Sequence, residues 1–250
     1  MNKIICVISR KGGVGKTATA HNLSAGLAKR GGKVLLIDLD SQCNLSFTCK
    51  ADATKPGSFE VLNGSARASE AIQKTSEGFI MAGSEELAAA DTFLNGKRKE
   101  YALKDALEEV KQQFDYIIID TPAALGALTV NALTASDGLI IPVQADIYSL
   151  QGLAQIAEAV QAVKKYCNKA LKIKGILLTR YNGRAIISKD MLANFAEAAK
   201  QMQTKLYNTP IREAIAVKEA QAQNVNIFDY APKSKAAADY NNFIEEFLKD

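Results

Sequence analysis

The segment Arg10-Lys11-Gly12-Gly13-Val14-Gly15-Lys16-Thr17 follows a short apolar run and leads directly into a helix-forming stretch. Glycine-rich backbone of this kind curls so that several N–H groups point into one concavity, and the start of the next helix adds its positive end, which attracts phosphate. In such a loop Lys16 reaches the β- and γ-phosphate oxygens, and the Thr17 hydroxyl holds Mg²⁺. The ordinary loop opens with glycine where this chain has Arg10, and a second lysine, Lys11, stands inside it. Magnesium-assisted phosphoryl transfer also needs carboxylates at strand ends on the edge of the sheet where the loop opens. Two segments offer them: Asp38-Leu39-Asp40-Ser41-Gln42, and Tyr116-Ile117-Ile118-Ile119-Asp120.

The elements that must position these groups are legible as a pattern. Short apolar runs at Ile4 to Ile8, Val34 to Ile37, Gly78 to Ala82, Tyr116 to Ile119, Leu139 to Val143 and Ile173 to Leu178 read as buried strands. Between them, residues 16–30, 99–113, 126–135, 149–166, 188–203 and 233–249 have the length and spacing of helices. Their alternation predicts an α/β, three-layer fold, a mostly parallel twisted sheet with helices on both faces, with the phosphate loop (P-loop) of residues 10–17 at its edge. Residues 44–77 are the least regular and are expected to form a connection with short helices. With no Pro-rich or Gly/Ser linker and no repeat, residues 1–250 read as a single domain built around the P-loop.

Composition narrows the partners. Half of the 250 residues are hydrophobic to within a few per cent (48%) and 23% are charged, which excludes a disordered or collagen-like chain. The formal charge of +4 is modest, yet residues 164–235 hold 14 Lys and Arg against five Asp and Glu, leaving the remainder at −5. Within that stretch Arg180, Arg184 and Lys189 flank a strand end, and Lys218, Lys233 and Lys235 lie near the carboxy-terminal helix. Together they are candidates for a DNA-binding surface that engages phosphates without sequence preference. The four cysteines, at 6, 43, 49 and 167, form no CxxC pair, so neither a zinc site nor a disulfide framework is expected, and a reducing, cytoplasmic location is. His21, on the first helix, has no partner in sequence for chemistry and reads as a packed or surface residue.

Taken together, these residues resemble the ParA/MinD family of deviant-Walker P-loop ATPases, most closely the ParA (Soj-like) branch that partitions plasmids and chromosomes. The matching segments are Lys11 to Thr17, Asp38 to Asn44, Asp120-Thr121-Pro122, Ile141 to Gln144 and Ser149 to Leu153. The resemblance implies ATP and Mg²⁺ as cofactors and a homodimer that forms with ATP. It implies a nucleotide held by Lys11, Gly12, Gly13, Val14, Gly15, Lys16, Thr17 and Ala18, with adenine contacts from Pro210 and Arg212. Catalytic roles fall to Lys11, Lys16 and Asp40: Lys11 crosses to the partner subunit's phosphates, and Asp40 orients the attacking water. Asp38 supports the site by hydrogen bonding, and the metal is expected among Thr17, Asp40 and Asp120, the last acting through water. A ParB-like centromere-binding partner and an association with the nucleoid are also implied. The chain departs from the family at Arg10 (usually Gln), Ala18 (Thr), Ser41 (Pro) and Ala123 (Pro), none of which removes a catalytic group.

Three other functions are weighed by residue chemistry. A MinD-like membrane regulator needs a basic amphipathic tail, whereas Phe243 to Asp250 is acidic, and no membrane partner is expected. An iron–sulfur carrier needs cysteines at a dimer axis, and none closely follows Asp120. A ParA-like ATPase that positions a protein cargo remains open beside DNA partition.

Overall fold

Each central apolar run supplies a strand buried on both faces, the condition for a parallel sheet covered by helices on either side. The computed structural model describes residues 3–183 and 186–249, and for 186–190 the backbone alone. Its strands are β1 (Lys3–Val7), β2 (Val34–Asp38), β3 (Ile72–Thr75), β4 (Gly78–Met81), β5 (Tyr116–Asp120), β6 (Gly138–Val143) and β7 (Lys172–Leu178). They form a sheet in the order β3-β4-β2-β5-β1-β6-β7, parallel except for the antiparallel β3–β4 hairpin at one edge.

Helix α1 (Lys16–Ala28) joins β1 to β2. Short helices α2 (Asn44–Thr48), α3 (Ser58–Asn63) and α4 (Ala68–Ala71) precede the hairpin, and α5 (Ala90–Phe93) and α6 (Ala102–Leu107) follow it. Helix α7 (Ala127–Ala135) joins β5 to β6, and α8 (Ile147–Tyr166) joins β6 to β7. Beyond β7 come α9 (Ile186–Gln201), α10 (Ile215–Ala222), α11 (Ile227–Tyr230) and α12 (Lys235–Leu248).

Period-two alternation divides the strand residues between two cores. Ile4, Cys6, Ile37, Ile117, Ile119, Leu139 and Ile141 face α6 to α9. Ile5, Val7, Leu36, Ile118 and Ile140 face α1, α11 and α12. The last helix buries Ala236, Tyr240, Phe243 and Phe247 along one stripe, with Ala237 and Ile244 beside them. Its apolar face is therefore consumed by the core. No described helix is long and apolar enough to cross a membrane.

The sheet and the main crossover helices match expectation, and three local differences have physical causes. Strand β3 falls inside the stretch expected to be a connection; at an edge, Ile72-Gln73-Lys74-Thr75 carries too little apolar signal to be read as a strand. The helix expected over 99–113 is broken into α6 flanked by single 3-10 turns at Lys99–Tyr101 and Lys111–Gln113. Helices α10 and α11 were not anticipated. His21 is buried, with Nε2 2.9 Å from Glu77 Oε2, and Asn226 Nδ2 donates to the same oxygen at 2.9 Å. The trio ties α1 to the turn of the hairpin and to the cap of α11. The four cysteines are free, Cys6 and Cys49 buried, and burial pushes both of these thiols up.

Gly57 caps α3 where the chain passes the end of β4, and a Cβ there would stand 2.3 Å from the Ala82 carbonyl oxygen. Because that atom belongs to the backbone, relief requires moving the chain. Gly57→Ala should therefore destabilise the fold by about 1–3 kcal/mol, read as a lower urea midpoint with an unchanged m-value; an unaltered midpoint would show that the loop yields freely.

Candidate functional site: a phosphate loop over two buried carboxylates

The phosphate loop crosses from the end of β1 to the start of α1. Gly13 (φ +72°) and Gly15 (φ +90°) adopt the left-handed backbone that side chains resist, so the two glycines let the loop close on itself before the helix begins. From the end of β7, the Thr179 hydroxyl lies 2.5 Å from the Val14 carbonyl and 3.0 Å from that of Val143, sharing its proton between loop and sheet. Arg180 Nη1 donates to the Gly13 carbonyl at 3.1 Å. Neither residue carries a motif, and the loop's support from β7 was not visible in sequence.

Parallel register places the carboxylates. Asp38 pairs with Asp120 across β2 and β5, and Val7, just before the loop, pairs with Asp120 across β1 and β5. Both acids are buried, but their surroundings differ. Asp38 Oδ2 accepts from Ser46 N (2.9 Å) and Oγ (2.7 Å), and its Oδ1 accepts from Asp40 N (3.0 Å). Burial raises the Asp38 pKa against these bonds, which favour the charged form. The Asp38 carboxyl thus shapes the segment that carries Asp40. Asp120 Oδ2 accepts from Thr17 Oγ1 at 2.6 Å, while its Oδ1 is buried with no partner. Burial, then the charge of Asp38, push Asp120 up to about 8, against the Thr17 hydrogen bond and the charge of Lys16. An orphaned carboxylate oxygen beside a threonine hydroxyl, with a second acid nearby, is a donor set that suits Mg²⁺. Lys16, 8% exposed, is buried with them.

Asp40 is half-buried at the lip of the cleft, where its Oδ1 accepts from Gln42 N at 3.1 Å. Lys11 points elsewhere: its Nζ donates to Asp146 Oδ2 at 2.6 Å and to Gln144 Oε1 at 3.1 Å. Asp146 also caps α8, accepting from Ser149 N at 2.9 Å. Although burial raises it, the hydrogen bonds from Lys11 and Ser149 hold the Asp146 carboxyl below its ordinary range. Ile147 and Tyr148, next in sequence, are 53% and 69% exposed. Arg10 is tied in the same direction, Nε to Gln155 Oε1 at 2.9 Å and Nη1 to the Ala123 carbonyl at 3.3 Å.

The cleft has a volume of about 630 Å³, within the range of small-ligand sites. Its walls include Gly12, Gly13, Gly15, Lys16, Thr17, Ala18 and Asp40 from the anticipated set, with Phe47, Val217, Gln221 and Tyr240 added by the fold. Pro210 lines an adjoining hollow with Tyr181 and Leu206, while Ile211 and Arg212 line the cleft. The segment runs beside β7, with Ile211 N bonded to the Leu178 carbonyl at 2.8 Å. The Arg212 guanidinium is held by both oxygens of Asp239, Nε at 2.5 Å and Nη2 at 2.6 Å.

The residues expected to form one DNA surface are divided. Arg180 and Lys218 line the cleft and lie 2.9 and 3.7 Å from Glu213 Oε1. Lys233, just ahead of α12, and Lys235, its first residue, are exposed. Arg184 and the side chain of Lys189 lie outside the described residues.

A family model described as an AAA domain (AAA_31) matches residues 2–173. Over 252 aligned residues the chain is 39% identical to the sporulation initiation inhibitor protein Soj of Bacillus subtilis, with 98% of each covered. Among solved structures it is similar to the cobyrinic acid a,c-diamide synthase of Mycobacterium smegmatis with bound ADP and magnesium, at a TM-score of 0.86 and 33% identity, over 100% of this chain and 95% of that one. It is also similar to apo McdA of Cyanothece, at a TM-score of 0.89 and 26% identity, over 99% and 100%. This chain carries a phosphate loop with two lysines above two sheet-edge carboxylates and is matched over nearly its whole length by these relatives: it belongs to the ParA/MinD family of P-loop ATPases, on its ParA (Soj-like) side.

Proposed function

We propose that this chain is an ATP-driven dimerisation switch of ParA type, which binds DNA without sequence preference as the ATP dimer and hydrolyses ATP when a ParB-like partner stimulates it. The observation that carries the reading is the separation of the two loop lysines. Lys16 is buried beside Asp120, where it serves its own subunit's nucleotide. Lys11 lies on the outer lip, about a third exposed, where a second subunit could meet it. Exposed Ile147 and Tyr148 adjoin it and offer apolar area for such a contact.

The loop N–H groups and Lys16 are placed to bind the β- and γ-phosphates, and Thr17 with Asp120 would hold Mg²⁺, which would supply neutralisation of phosphate charge there. Asp40 has one carboxylate oxygen committed to Gln42 N, and its other oxygen orients a water for in-line attack. That water gives its oxygen to phosphorus and its proton to the surroundings, releasing ADP and phosphate. Lys11 must leave Asp146 before it can reach a partner's γ-phosphate. The half-exposed pair holds it by about 1 kcal/mol, so a phosphate carrying more charge than Asp146 can draw it away. ADP lacks the γ-phosphate and leaves Lys11 with Asp146.

Four variants test these roles. Lys16→Ala should weaken Mg-ATP binding about 10- to 100-fold, the loss of a charge-assisted bond of about 1.5–3 kcal/mol, measured by calorimetry; unchanged affinity and turnover would remove the loop from the mechanism. Lys11→Ala should bind ATP about as well as the parent yet show no ATP-dependent dimer in light scattering, while Asp146→Asn should dimerise at lower ATP. A dimer in the first variant refutes the trans role. Asp40→Ala should keep ATP, accumulate dimer and lose about 10²- to 10⁴-fold in kcat; hydrolysis at the parent rate would transfer the role to another group.

A further inference from the structure

The end of the sheet opposite the nucleotide cleft carries a basic surface outside every site described above. Residues 164–172, Lys-Lys-Tyr-Cys-Asn-Lys-Ala-Leu-Lys, hold four lysines and no acid. They span the last turn of α8, the short turn after it and the first residue of β7. Lys164, Lys165, Lys169 and Lys172 are all exposed. Among the described residues none of the four has an ion-pair partner, and Lys165 meets only the Tyr166 ring, 5.0 Å from its centroid. Lys164 and Lys172 line one groove, whose walls also include Glu197, so the helix end and the strand start contribute cations to the same concave surface.

Tyr166, at the centre, is 71% exposed. Its backbone is anchored: the Tyr101 hydroxyl lies 3.3 Å from the carbonyls of both Tyr166 and Cys167. Tyr101 in turn carries Arg98 over its ring at 4.7 Å and Lys104 at 6.0 Å, which extends the basic field, although Arg98 is also paired with Asp105. Lysines at a helix carboxy terminus are favoured by the helix dipole, which accounts for Lys164 and Lys165. It does not account for Lys169 and Lys172, which lie beyond the helix, or for an aromatic ring held out in water. Unpaired cations around an exposed tyrosine on an anchored turn are suited to a regular array of phosphates.

We propose that Lys164, Lys165, Lys169 and Lys172, grouped around Tyr166, form the surface that docks the phosphate backbone of double-stranded DNA. This rests on the reading of the chain as a DNA-binding ATPase, and it moves the contact away from Lys233 and Lys235. The ledge is separated from the Lys11–Asp146 pair by the length of α8, about 30 Å for its 20 residues. A dimer joined near Lys11 would thus leave both ledges open.

The test is fluorescence anisotropy of a labelled random duplex with the full chain and Mg-ATP, over a series of salt concentrations. Each lysine that neutralises a phosphate contributes about 0.9 to the slope of log K against log salt. The variant with Lys164, Lys165, Lys169 and Lys172 all changed to Gln should therefore lose about 3 to 4 from that slope and bind at least about tenfold more weakly at low salt. Tyr166→Ala should weaken binding with the slope unchanged, since it removes no charge. Lys233→Gln with Lys235→Gln should keep the parent slope, and ATPase activity without DNA should be unaltered in all three. Parent-like slope and affinity in the fourfold variant, while the parent binds DNA, would overturn the ledge and leave the DNA reading standing. A parent that binds anionic phosphatidylglycerol vesicles and not the duplex would overturn the ledge in favour of a membrane surface. Absence of binding by the parent to either would overturn the DNA reading itself.

Discussion

Asp38 and Asp120 sit in register at the carboxy-terminal edge of the sheet, buried together beneath the phosphate loop. Two carboxylates removed from water at adjacent strand ends repel each other, and each must be compensated by hydrogen bonds or by positive charge. The chain compensates them unequally. Asp38 receives three donors, from Ser46 and Asp40, and in doing so folds the segment that presents Asp40 to the cleft. Asp120 receives the Thr17 hydroxyl and keeps one oxygen bare. That imbalance separates a structural acid from one with capacity left for a metal, and it explains why the loop lysine, the loop threonine and Asp120 converge.

The surrounding architecture serves this edge. Thr179 fixes the loop from β7, and Gly83 donates from the end of β4 to the same Ser46 hydroxyl that binds Asp38, at 2.8 Å. Helix α12 fills the opposite face through Tyr240, Phe243 and Phe247, and its Tyr240 also reaches the cleft wall. Lys11 stands outside this compensated core. Its link to Asp146 and Gln144 is a half-exposed contact between the loop and the start of α8, weak enough to exchange when a more highly charged partner is offered. A buried pair would have been too costly to break for such a role.

Two groups of cations in the chain's later half are treated differently by the fold. Arg180, Arg212 and Lys218 are drawn to the cleft and neutralised by Glu213 and Asp239, so they contribute little field at a distance. Lys164, Lys165, Lys169 and Lys172 have no ion-pair partner among the described residues and lie at the other end of the sheet. Net charge in a stretch of sequence therefore overstates any one surface, because ion pairing between segments decides which cations remain available.

The phosphate loop, the two acid-bearing strand ends and the central parallel strands were legible in the sequence because their physics is local. Glycines license the loop's backbone, unbroken apolar runs mark strands buried on both faces, and an acid that ends such a run lies at a sheet edge. The edge strand β3 and the short helices α10 and α11 carry weaker local signals and escaped. The roles decided by pairing were not legible at all. Lys11 finds Asp146, Thr179 finds Val14 and Arg212 finds Asp239 through contacts that no local pattern in the sequence announces. Sequence determined which groups could do chemistry with phosphate and metal; tertiary structure alone decided which of them are compensated, which are held in reserve and which cations stay free, because burial and partnership are properties of neighbours brought together by the fold.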